Sequence, residues 1–239
     1  MSQRKLKDSV SIGIVLYQRV TLLDVSGPYE VFARLPGARV ALLAATLDPI
    51  HTDRGMVIIP DTCFDDAAPD VMFVPGGPGQ MDVMEDEEFV GYLRRWGAGA
   101  KFVTSVCTGS LLLASAGLLE GRCATTHWLS MDLLARLGVE TVAERVVIDG
   151  NRITAAGVSA GIDLALVVAS RLFGDDAAKE IQLLIEYDPQ PPFPGGSIRT
   201  AEPRIIDRVS SGRVDLQEER RAQVDRIVER LKRWDRESL

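Results

Sequence analysis

Cysteine and histidine are both scarce in this chain: three cysteines, Cys63, Cys107 and Cys123, and two histidines, His51 and His127, among 239 residues. An odd cysteine count with no Cys-x-x-Cys pair argues against a disulfide framework. So few Cys and His also argue against a closed zinc site, and no metal is expected. Long apolar runs are missing too. The longest, residues 111–119, is far too short to cross a bilayer, so no membrane partner is expected. Residues 1–7 are basic and precede an apolar stretch, 10–17, which is broken by Ser11 and Gly13 and lacks a small-residue cleavage site. That stretch fits a first strand better than a signal peptide, and a cytoplasmic protein is the expectation. Basic charge is in the minority, with 27 Lys+Arg against 34 Asp+Glu and a net charge of −7. Such a surface repels phosphate backbones, so no nucleic-acid partner is expected. The arginines near the C-terminus, as in Glu218-Glu219-Arg220-Arg221, are interleaved with acids and read as a solvated helix face.

What is present is an alternation. Residues 11–17, 40–45, 71–74 and 101–106 are short aliphatic runs bounded by turn residues, and helical patterns lie at about 29–34, 85–96 and 110–116. This order predicts parallel strands with crossover helices in an α/β fold. Strands that are apolar throughout belong to a sheet covered on both faces. A hairpin is predicted at 145–155 around Asp149-Gly150-Asn151, followed by a buried helix at 160–173 that Gly174 ends and a further helix to about 187. The proline-rich segment 188–196 can be neither helix nor central strand. Beyond it, Val224, Ile227, Val228, Leu231 and Trp234 form one apolar stripe on a helix over 215–234. That stripe has two destinations open to it, its own domain or a partner subunit.

Cys107 ends the run 101–106 and stands where the helical pattern begins, within Ser105-Val106-Cys107-Thr108-Gly109. Small residues on both sides permit the tight strand-to-helix turn that lifts a nucleophile above a sheet. Helix N–H groups next to it would favour the thiolate. Cys63 and Cys123 lack such a context and read as small buried hydrophobes. Pro75-Gly76-Gly77-Pro78-Gly79 follows the run 71–74, and its glycines would let backbone N–H groups approach a ligand, as an oxyanion hole needs. Asp24, set among leucines in Thr21-Leu22-Leu23-Asp24-Val25, has two readings. It caps a helix starting near Pro28, or it is a buried acid with a raised pKa that moves protons.

Phe73-Val74-Pro75-Gly76-Gly77, Ser105-Val106-Cys107-Thr108-Gly109-Ser110, Ala124-Thr125-Thr126-His127-Trp128 and Ser159-Ala160-Gly161-Ile162-Asp163-Leu164 together resemble the PfpI-like superfamily, over about residues 10–190. The resemblance implies a flavodoxin-like, doubly wound, mostly parallel sheet sandwiched by helices, with an extra C-terminal helix beyond it, and a homodimer. It divides the chain into an α/β domain at 10–190 and a proline-rich loop with an amphipathic helix at 191–239. One similar branch is the sensing half of AraC-type regulators. The residues after Tyr187 offer one convincing helix, short of the paired helix-turn-helix units of that branch. The branch that hydrates isocyanides is similar in the surroundings of Asp24 and in Ile185-Glu186-Tyr187-Asp188-Pro189.

That resemblance implies hydration of a small isocyanide to an N-substituted formamide through a covalent thioimidate. Cys107 would be the nucleophile and Asp24 the proton donor and acceptor. Thr108, Gly77 and Gly76 would hold the sulfur or the developing charge, with Gly157, Val158 and His127 as pocket wall. No metal or organic cofactor enters this scheme. Peptidase-like relatives place His directly after the cysteine; here Thr108 stands there. A glyoxalase- or deglycase-type activity on small aldehydes, or a redox or ligand sensor, are the alternatives for the same thiol.

Overall fold

The structure, a computed structural model, describes residues 9–237, with side chains described through residue 232. The basic segment 1–7 and the Trp234 side chain of the C-terminal stripe lie outside the described residues. The strands are β1 (Val10–Val15), β2 (Ala38–Ala44), β3 (Ile50–His51), β4 (Val57–Ile58), β5 (Thr62–Cys63), β6 (Val71–Val74), β7 (Phe102–Val106), β8 (Cys123–Ala124), β9 (Glu140–Thr141), β10 (Val146–Asp149) and β11 (Arg152–Ala155). Seven of them form one sheet in the order β10-β11-β7-β6-β1-β2-β5. Every pairing in it is parallel except the β10–β11 hairpin.

The central strand β6 is apolar along its whole length because both faces are covered, and all four of its residues are buried. The helices are α1 (Leu22–Phe32), α2 (Gln80–Val83), α3 (Glu87–Gly99), α4 (Gly109–Ser115), α5 (Met131–Arg136), α6 (Ala160–Phe173), α7 (Asp175–Leu184), α8 (Pro203–Ser211) and α9 (Val214–Glu237). Helix α1 packs on α6, and α6 on β7 and β11; α3 and α5 pack on α4, which packs on β6 and β7. The fold is the mostly parallel α/β sandwich that the alternation predicts.

Two boundaries differ from the sequence expectation. Helix α1 begins at Leu22 rather than near Pro28, which sits inside it. Where one C-terminal helix is expected there are two, α8 and α9. Helix α8 is short and buries none of its residues, although Ile205, Ile206 and Val209 share one of its faces.

Helix α9 lies on its own chain. Val224 and Ile227 are each 1 % exposed in the core, and Arg221 pairs with Asp132 of α5 at 2.5 Å. Arg226 grips Glu85 through two nitrogens at 2.9 and 2.7 Å, and Gln223 donates to the Met81 carbonyl.

The topology sets the site. Because β11, β7, β6 and β1 are adjacent and parallel, their carboxyl ends lie side by side. The loops that leave them therefore gather at one edge of the sheet, where ligands bind in open α/β folds.

Candidate active site

Cys107 occupies the turn between β7 and α4 with φ of +55°, the left-handed region that a side-chain-bearing residue seldom adopts. Hydrogen bonds hold it there. Its N–H donates to the carbonyls of Ala155 and Ala156, at 3.1 and 2.7 Å, and its carbonyl accepts from the hydroxyls of Thr126 and Ser110, at 2.8 and 3.2 Å. Thr126 of the Thr-Thr-His-Trp motif is thus part of the turn's scaffold. Gly109 is there because a Cβ would stand 2.1 Å from the Val74 carbonyl oxygen, so the turn closes down on the end of β6. A strained backbone so over-determined is typical of a functional position.

Asp24 is fully buried and does not cap α1; it lies in the helix's first turn, and the N-cap is Thr21. Its Oδ2 accepts the Gly76 N–H at 2.9 Å, its Oδ1 has no hydrogen-bond partner, and the Cys107 thiol lies near enough to act on the carboxyl. Burial raises the Asp24 pKa to about 7, against the opposing pull of the Gly76 hydrogen bond and the Cys107 thiol. Of its two sequence readings, this geometry favours the proton-handling acid.

The expected thiolate is not the resting form. Burial pushes the Cys107 thiol well above its ordinary pKa, and the Asp24 charge adds to that. The backbone N–H groups of Thr108 and Val158 and the Arg220 guanidinium pull the other way without prevailing. A neutral thiol beside a carboxyl that titrates near neutrality is the arrangement present.

The glycine loop also departs from expectation. Neither Gly76 nor Gly77 offers an open N–H: the first is engaged by Asp24 and the second by Thr108 Oγ1 at 3.1 Å. Their work is to position Asp24 and Thr108. The donors at the sulfur come from Thr108 and Val158. Gly157 packs beneath the His127 ring, where a Cβ would meet Cδ2 at 3.1 Å. His127 Nδ1 accepts the Leu129 N–H at 3.3 Å, which leaves the ring's proton on Nε2, and burial lowers its pKa to about 4. At neutral pH it is an uncharged donor.

Cys107, although only 7 % exposed, borders a cleft of about 720 Å³. Gly77, Thr108, His127 and Val158 line it as well, and so do residues the sequence reading passed over. These are Asp53 and Arg54 from the β3–β4 turn, Val209 of α8, and Leu216, Gln217 and Arg220 of α9, with Arg213 just before it. Arg220, in a segment whose interleaved charges predict a solvated face, is buried. The signal that finds it is the stripe itself. Stepping back from Val224 by helical intervals gives 220, 217, 216 and 213, one continuous face that is apolar over the core and, Leu216 apart, polar over the cleft. Among the described residues, no cluster of His, Cys, Asp and Glu could hold a metal ion. None of their helices is long and apolar enough to cross a membrane.

The DJ-1/PfpI family model matches residues 10–171. A protein named isonitrile hydratase from Pseudomonas putida is 47 % identical over 200 residues, covering 83 % of this chain and 88 % of that protein. The crystal structure of a ThiJ/PfpI family protein from Pseudomonas syringae superposes with a TM-score of 0.89 at 37 % identity, covering 92 % of each chain. Drosophila melanogaster DJ-1beta superposes with a TM-score of 0.68 at 25 % identity, over 74 % of this chain and 98 % of that one.

Proposed function

This chain belongs to the DJ-1/PfpI family, and from that premise we propose that it is a cysteine-dependent isocyanide hydratase, a lyase of the hydro-lyase type that forms N-substituted formamides. The observation that carries the reading is the Asp24–Cys107 pair, a thiol beside a buried carboxyl that has one oxygen unpartnered and titrates at about pH 7. The likeness to the Pseudomonas putida protein supports the substrate class.

The pair supplies both halves of the reaction. As the Cys107 sulfur bonds to the terminal isocyanide carbon, its proton passes to Asp24 and from there to that same carbon, giving the thioimidate R–N=CH–S–Cys107. Asp24, again a carboxylate, takes a proton from water as the water oxygen adds to the carbon, and the nitrogen gains a proton. The C–S bond then breaks, the formamide R–NH–CHO leaves, and the sulfur recovers its proton. Dividing one hard addition into two easier ones is the gain of covalent catalysis. The N–H groups of Thr108 and Val158 steady the sulfur as it gives up its proton and again as it departs. The scheme calls for no cofactor.

Oxidation of a sensor cysteine needs only the thiol, whereas a buried carboxyl at its side supplies the proton transfer that hydration needs, which favours the enzyme over the sensor. In this reading the protein works in the cytoplasm as a homodimer and sediments at twice the mass of its chain.

The deciding experiment is formamide production from an aryl isocyanide by the purified protein, beside Cys107→Ala and beside methylglyoxal as a rival substrate. Hydration by the parent and none by the variant is expected. Turnover by Cys107→Ala, or of the aldehyde alone, would overturn the proposal.

A further inference from the structure

Arg220 is a buried cation that no acid among the described residues pairs with. Its side chain is 6 % exposed, its Nε has no hydrogen-bond partner, and it enters none of the ion pairs among the described residues. It borders the same cleft as Cys107. One turn earlier on the same helix face, Gln217 presents a buried Oε1 that also lacks a partner. Arg213, a further turn back, lines the cleft too. An uncompensated buried charge is strongly destabilising unless an opposite charge completes it. The acids nearby are not placed to do so: Asp24 is committed to Gly76 and Cys107, and Asp53 faces Arg54 at 3.6 Å.

We propose that Arg220, with Gln217 and Arg213, forms an anion subsite on α9, and that the isocyanide this chain hydrates carries a carboxylate. The inference rests on the hydratase reading for its reaction and on Arg220 for its anion. A guanidinium matches a carboxylate through two parallel N–H donors. The cleft that Arg220 and Cys107 share is also lined by Leu22, Leu129, Trp128 and Leu216, which suits an aliphatic body joining the two ends of the substrate. The product would then be an N-formyl amino acid or a close relative, and the supplying reaction one that converts an amino acid's amine to an isocyanide.

The test has a binding arm and a kinetic arm. N-formyl-leucine and its methyl ester are titrated by calorimetry into the parent protein, Arg220→Gln and Arg220→Lys. The acid should bind the parent about 10- to 100-fold more tightly than the ester, the scale of a charge-assisted hydrogen-bonded pair. Arg220→Gln should erase that preference and Arg220→Lys restore part of it. Equal binding of acid and ester by the parent overturns the subsite, and that comparison needs no variant to fold.

The kinetic arm compares 2-isocyano-4-methylpentanoate with its methyl ester. Arg220→Gln should raise KM for the acid and collapse the acid-to-ester ratio of kcat/KM. An equal loss on both substrates would assign Arg220 to the sulfur instead and overturn the subsite. Tight binding of the acid with no turnover of either isocyanide would sink the hydratase reading and leave the subsite standing.

Discussion

Asp24 Oδ2 accepts the amide of Gly76, a residue 52 positions away along the chain, at 2.9 Å. One loop therefore fixes the carboxyl and leaves its other oxygen unpartnered, with the Cys107 thiol nearby. The first consequence is a pH profile. Asp24 must be ionised to take the thiol proton, so kcat/KM should rise with pH through about 7, the pKa that burial gives the carboxyl. Asp24→Asn should lower kcat/KM by about 10²- to 10⁴-fold, the range of lost general acid–base catalysis, and abolish that limb. A rising limb that survives the substitution would remove Asp24 from catalysis.

The same substitution should move the thiol in the opposite sense. The negative charge of Asp24 is one cause of the raised Cys107 pKa. Replacing it with a neutral amide lowers that pKa, so Asp24→Asn should react with iodoacetamide faster than the parent at pH 8 while hydrating isocyanide far more slowly. Reactivity and catalysis parting company distinguishes a proton-relay pair from a merely activated cysteine. Slower alkylation of the variant would contradict the electrostatic account.

Stability should respond as well. The folded-state pKa of Asp24 is raised from 3.8 to about 7, so the folded protein holds a proton that the unfolded chain has released across that interval. The contribution is fully present below about pH 4 and is lost as pH rises through 7. Asparagine can keep the Gly76 hydrogen bond without the charge. Asp24→Asn should therefore gain on the parent in urea denaturation by on the order of 2–4 kcal/mol between pH 4 and pH 8. A gap that does not widen with pH would show that the buried carboxylate carries no such cost.

Much of this arrangement is legible in the sequence, and the rest is hidden for identifiable reasons. The alternating apolar runs announce the sheet, since strands buried on both faces have no choice but to be apolar. Ser105 and Gly109 mark the turn at Cys107 because close approach of the chain forces small residues. The start of α1 is obscured by Pro28, which looks like a first residue and is an interior one. The engagement of the Gly76 and Gly77 N–H groups depends on Asp24 and Thr108, partners brought in by the fold. Arg220 is hidden by its neighbours: Glu218, Glu219 and Arg221 make the segment look solvated, while helical spacing turns one residue of the four inward.

Close packing at the turn gives a steric prediction. In Gly109→Ala the new Cβ would lie 2.1 Å from the Val74 carbonyl oxygen, against backbone that cannot swing aside. A loss of about 2–4 kcal/mol is expected, at or above the usual range for overpacking, together with displacement of Cys107 and loss of activity. Gly91, in the interior of α3, is the control, since a Cβ there meets nothing within 4 Å. Gly91→Ala should stabilise by about 0.5–1 kcal/mol through helix propensity. Thermal unfolding of the two variants should therefore move in opposite directions.

The last prediction concerns what fastens α9 over the cleft. Arg221 and Asp132 are each about half exposed, at 49 % and 51 %, so their ion pair is screened by water. Arg221→Ala should cost no more than about 1 kcal/mol, the scale of a surface pair. Ile227 is 1 % exposed, and Ile227→Ala removes buried methyl groups that its neighbours cannot fully replace. It should cost about 2–4 kcal/mol. Helix α9 also carries Gln217 and Arg220 to the cleft wall, so loosening its apolar anchor should raise KM for isocyanide at temperatures where the domain is still folded. Arg221→Ala should leave KM where it is. If the two variants affect KM alike, the helix is held by its charges and not by its core stripe, and its bearing on the cleft is not set by packing.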